Sequence, residues 1–90
     1  MTNIRTQTLT EAEALVNGPR QDHYGEPQEN FAAIAQMWTA YLGTAIAARD
    51  VANMMALLKL ARLRNGPHYD SSVDGCGYLA LAAELSDVQK

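Results

Sequence analysis

The sequence predicts an all-α fold, a small bundle of about four helices. Three observations predict it. Apolar residues recur at three- and four-residue steps along the middle of the chain, Asn-Gly-Pro stretches at 17–19 and 65–67 punctuate it, and no segment alternates apolar with polar residues as a strand would. Residues 1–7 are polar and are expected to form a flexible N-terminus, with 8–90 as a single helical domain.

The first helix is expected in "TLTEAEALVNG", where Thr10 followed by Glu13 has the spacing of a capping box and Asn17-Gly18-Pro19 is a stop. The second begins near Pro27, because proline fits the first helical turn, whose N–H groups have no intrahelical partner. Phe31, Ile34, Ala35, Trp38, Tyr41 and Leu42 give it one apolar stripe, and Gly43-Thr44 ends it. The third runs from about Ala48 to Leu63 with Val51, Met54, Met55, Leu58 and Ala61 as its expected buried face, and Asn65-Gly66-Pro67 terminates it. The fourth is expected to start at Asp70, whose carboxylate can accept from first-turn N–H groups, and to bury Val73, Gly77 and Leu81. The second and third helices are expected to pack antiparallel through Phe31, Ile34, Trp38, Met54, Met55 and Leu58.

Composition narrows the function classes. Ninety residues with a hydrophobic share of 48%, much of it alanine, make a small core, so a homo-oligomer sharing apolar faces is expected, with the small-residue run Gly75, Cys76, Gly77 as its contact. A net charge of −3 leaves no basic stripe for duplex nucleic acid. A single cysteine suits a reducing compartment. No apolar run approaches the ~18 residues of a membrane span, and the N-terminus lacks a signal-peptide core, so no membrane partner and a cytoplasmic location are expected.

Chemistry concentrates in three places. Lys59 and Arg62 share a helix face and can bind phosphate, Arg62 with a planar bidentate fork. Asp70, Asp74 and Tyr78 follow at four-residue steps on the next helix, just after His68. The two carboxylates can pair with the cations or share a divalent metal such as magnesium. The loop "RQDHYGEPQENF" supplies His23, a Tyr24 ring able to stack on a base, a Gly25 turn that admits close backbone approach, and the carboxylates Glu26 and Glu29.

The stretches "HYGEPQENFAAIAQMWTAYLG", "DVANMMALLKLARL" and "HYDSSVDGCGYLAL" resemble an uncharacterised family of short phage and prophage proteins over residues 20–85. More distantly, the helix order and acidic final helix resemble the all-α nucleoside triphosphate pyrophosphohydrolases. Those enzymes hold magnesium with a Glu-x-x-Glu pair and a Glu-x-x-Asp pair. Here Glu26 and Glu29 straddle a proline, and Asp70 and Asp74 are four apart.

The leading expectation is a non-catalytic phage protein that binds a nucleotide-type anion, as a sponge for a host immune signal nucleotide. Tyr24, Gly25, Lys59, Arg62, His68, Asp70, Asp74 and Tyr78 would be the ligand-binding residues, with Trp38 as a further stacking ring. No cofactor is required, and magnesium at Asp70 and Asp74 would be an addition. Two alternatives stand beside it: a magnesium-dependent pyrophosphohydrolase, and an inhibitor that binds a host defence protein.

Overall fold

The computed structural model describes residues 3–18 and 26–86, which form α1 (Ile4–Asn17), α2 (Pro27–Leu42), α3 (Ala48–Arg62) and α4 (Tyr69–Leu85), with a 3-10 turn at Leu63–Asn65. Among the described residues there is no strand. The all-α bundle expected from the sequence is what the chain forms.

Local chemistry explains the boundaries, and corrects two of them. The first helix starts at Ile4 because the Asn3 side chain accepts from the Thr6 N–H at 2.8 Å. Residues 4–7, assigned above to the flexible N-terminus, are therefore helical, and Thr10 lies inside the helix rather than capping it. In α2, Pro27 occupies the first turn, and Gly43 closes the far end in the left-handed conformation (φ 72°), donating its N–H to the Thr39 carbonyl at 2.8 Å. The Thr39 side chain also pins the connection to α3, since its hydroxyl accepts from the Ile46 N–H at 2.8 Å. In α3, Asp50 accepts from the Ala47 N–H at 2.9 Å. The cap of α4 is His68, not Asp70: the His68 Nδ1 accepts from the Ser71 N–H at 3.3 Å and meets the Ser71 hydroxyl at 2.7 Å. That contact satisfies Ser71, which is buried.

The helices pack in the sequence α1–α4–α3–α2, and the α3–α4 hairpin is the most extensive pair. Small side chains line these contacts, Ala52 and Ala56 on the buried side of α3 and Gly75 and Gly77 on α4. A Cβ on Gly75 would sit 3.8 Å from the Lys59 Cβ on α3, and one on Gly77 would sit 3.1 Å from Val16 Cγ1 on α1. The small-residue run assigned to a homo-oligomer contact is thus occupied within the chain, by α1 and α3. The buried face of α3 is correspondingly Val51, Ala52 and Ala56, with Met55 half-buried, while Met54, Leu58 and Ala61 are exposed. The expected set erred because α3 is apolar nearly all round, and the approach of α4 selects its narrowest side. On α2, Phe31 and Ala35 are buried and Ile34 and Trp38 pack against them. Tyr41 and Leu42 are exposed because that end of α2 runs past the core. The α2–α3 contact therefore uses Phe31, Ile34 and Trp38 as expected, but neither Met54 nor Leu58.

Tyr69 ties the start of α4 to α1. Its hydroxyl is buried without a hydrogen bond of good geometry. Burial, and then the Glu11 carboxylate nearby, raise the phenol above its ordinary range.

Two outcomes follow for stability. Phe31→Ala should cost about 3–5 kcal/mol in urea unfolding, and Trp38→Ala less, because only Phe31 is fully buried. Tyr69→Phe should change stability little near neutral pH, since the hydroxyl it deletes is buried beside Glu11 and Thr8 with no close hydrogen bond. The raised phenol favours the protonated form in the folded state, so its contribution is complete below the unfolded value of about 10 and is lost as pH rises through the folded value. Melting curves above pH ~10 should therefore show a steeper loss for the wild type than for Tyr69→Phe.

Candidate functional site

Because α1 packs on α4 and α2 on α3, the two outer helices face one another across a groove. It has a volume of about 250 Å³. Leu15 and Val16 line it from α1, Pro27, Asn30, Phe31, Ile34 and Trp38 from α2, Val51 and Met55 from α3, and Asp74, Gly77, Tyr78 and Leu81 from α4. Its walls are mostly apolar, with Phe31 and Tyr78 in tilted contact at 6.5 Å between ring centroids. Asp74 and Asn30 provide a carboxylate and an amide at its lining.

Asp74 is held by Lys59. The Lys59 Nζ lies 3.1 Å from Asp74 Oδ2, and the two side chains are only 16% and 27% exposed. The expected pairing of a cation on α3 with a carboxylate on α4 is therefore present. Its consequence differs from a free phosphate-binding cation, because the ammonium charge is neutralised inside the hairpin. Asp74 thus lines the groove with its Oδ2 already paired to a counter-charge.

The remaining residues expected at the site fall in two groups. Arg62, His68 and Asp70 are exposed and do not line the groove. Arg62 nevertheless continues the face of α3 that carries Met55 and Lys59, and Asp70 lies one turn before Asp74. His23, Tyr24 and Gly25 lie outside the described residues. Glu26 and Glu29, at the start of α2, are exposed. Among the described residues, no group of three or more His, Cys, Asp or Glu side chains is placed to hold a metal ion. The magnesium pair suggested for Asp70 and Asp74 thus has one exposed member and one committed to Lys59.

Sequence reasoning missed Asn30, Met55, Leu15 and Val16 as lining residues. Asn30 carried a signal: it is a polar residue one turn before Ile34, on the flank of an apolar stripe. The α1 residues carried none, since their place in the groove depends on how α1 leans on α4.

Lys59→Met and Asp74→Asn should show a coupling of about 1–3 kcal/mol in a double-mutant cycle, above the range of exposed pairs and below that of fully buried ones. Urea denaturation at two salt concentrations measures it, and the coupling should be largely retained at the higher one.

The comparisons with known proteins bear on identity. A family described as DUF6378, a domain of unknown function, matches residues 7–86. The Gene 55 protein of Mycobacterium phage D29 is 46% identical over 78 residues, covering 86% of this chain and 52% of that protein. The Gene 55 protein of Mycobacterium phage L5 is 44% identical over 79 residues, covering 86% of this chain and 51% of that protein. The chain spans about half the length of the curated relatives it matches. No solved structure matches. Among the described residues no helix is long and apolar enough to cross a membrane. The comparisons carry the likeness to phage proteins and none to pyrophosphohydrolases. With residues 7–86 matched, most of its length, this chain belongs to the DUF6378 family.

Proposed function

We propose that this chain is a non-catalytic binding module whose groove takes the planar part of a nucleotide-type molecule. One observation carries the reading: an aromatic groove with a fixed carboxylate and an amide in its lining. About 250 Å³ is room for a base rather than a whole nucleotide. Phe31, Trp38 and Tyr78 supply ring surface, and base–aromatic stacking contributes about 1–3 kcal/mol per base. Asp74 accepts from N–H groups on the base edge, and the Asn30 amide can donate or accept. The phosphates then extend along α3 toward Arg62, the exposed cation one turn beyond Lys59, whose fork suits them. Binding without turnover amounts to sequestration, the role of a sponge for a host signal nucleotide.

Calorimetry against a panel of linear and cyclic nucleotides tests this, with the emission of Trp38, the only tryptophan, as an independent reporter. Saturable heat accompanied by a change in Trp38 emission is expected. Arg62→Ala should weaken binding at least ~10-fold, or about 1.4 kcal/mol, with helical circular dichroism unchanged. Glu29→Gln should bind as the wild type does. A magnesium-dependent release of pyrophosphate that Glu29→Gln abolishes would replace this reading with the hydrolase. Absence of heat across the panel would overturn both and leave the inhibitor of a host protein.

A further inference from the structure

We infer that two copies of this chain pair along the outer face of α3, antiparallel, about a two-fold axis at Leu57. The starting point is an inversion of sizes. Among the described residues the buried hydrophobic ones are Phe31, two valines and five alanines, whereas Met54, Leu57, Leu58 and Leu60 on α3 are 40%, 61%, 48% and 59% exposed. Between Val51 and Ala61 only Asn53 and Lys59 are polar, and one chain covers only the inner face of that stretch of α3.

The occupant is read from the pattern of that outer face. Asp50, Met54, Leu57, Ala61 and Arg64 follow at steps of four, three, four and three residues, the spacing of a helix–helix seam. Its ends carry opposite charges and its centre is apolar. Leu57 lies seven residues from Asp50 and seven from Arg64, which sits in the 3-10 turn that continues the helix. Turning an identical helix about an axis at Leu57 brings Asp50 opposite Arg64 of the second copy, and does so twice. Met54 then meets Leu60 and Ala61 of the second copy. A parallel pair would set Asp50 against Asp50 and Arg64 against Arg64, so the charges select the antiparallel arrangement. Asp50 is held in place at its end of the seam by the bond it accepts from the Ala47 N–H. A self-complementary face of this kind closes as a two-fold dimer. The groove stays open, because its α3 residues Val51 and Met55 lie on the inner side.

Sedimentation at micromolar concentration should give twice the 9.8 kDa chain mass. Leu57→Asp should give the single-chain mass with unchanged circular dichroism, since Leu57 makes little of the core. Orientation is read by cross-linking in a Cys76→Ser background: chains carrying Asn53→Cys and Ala61→Cys should link to each other when mixed. A monomeric wild type would overturn the proposal and assign the face to a different protein. So would an assembly that survives Leu57→Asp, or cross-links between like chains only.

Discussion

The close approach of α3 and α4 is the constraint from which the rest of the structure follows. The Lys59 stem lies beside Gly75 of α4, at ordinary van der Waals distance from where a Cβ would stand, and the Lys59 ammonium reaches Asp74 at 3.1 Å. Ala52 and Ala56 make the inner side of α3 thin enough for that approach. With the hairpin fixed, Gly77 receives Val16 and seats α1, while Phe31 and Ala35 seat α2. The groove is the space that remains between the two outer helices.

An ion pair of this kind acts on geometry more than on net stability, because desolvating two charges offsets much of their attraction. In this hairpin it penalises a slipped register of α3 against α4, which would leave a charge buried alone. It also settles the electrostatic character of the groove. Lys59 is engaged by the pairing, so Asp74 meets the groove as an acceptor, and exposed positive charge of α3 on the side of Lys59 lies one turn farther along, at Arg62. A ligand that suits this arrangement offers donors to Asp74 and its anionic end elsewhere.

The sequence made part of this legible. Pro27 and Gly43 bounded α2 correctly, because proline and glycine act through local geometry that no tertiary contact overrides. The pairing of a cation on α3 with a carboxylate on α4 was readable from their spacing on facing helices. The buried side of α3 was not. Periodicity ranks faces by hydrophobic size, and the structure buried the small side because α4 had to come close. The start of α1 was hidden behind a run of polar residues, since one Asn3 hydrogen bond outweighs an unremarkable composition. The groove joins residues from all four helices, from Leu15 to Leu81, and no local pattern records such a meeting.

The alanine interior has an evolutionary consequence. Ala52 and Ala56 are buried, and a Cβ at Gly77 would stand 3.1 Å from Val16 Cγ1, so larger residues at these positions have to displace their neighbours. Sequence drift is channelled away from the interior and toward the lining of the groove and the outer face of α3, where side chains can change without moving the backbone. A scaffold constrained in this way can change its groove lining and its outer surface while its architecture stands still.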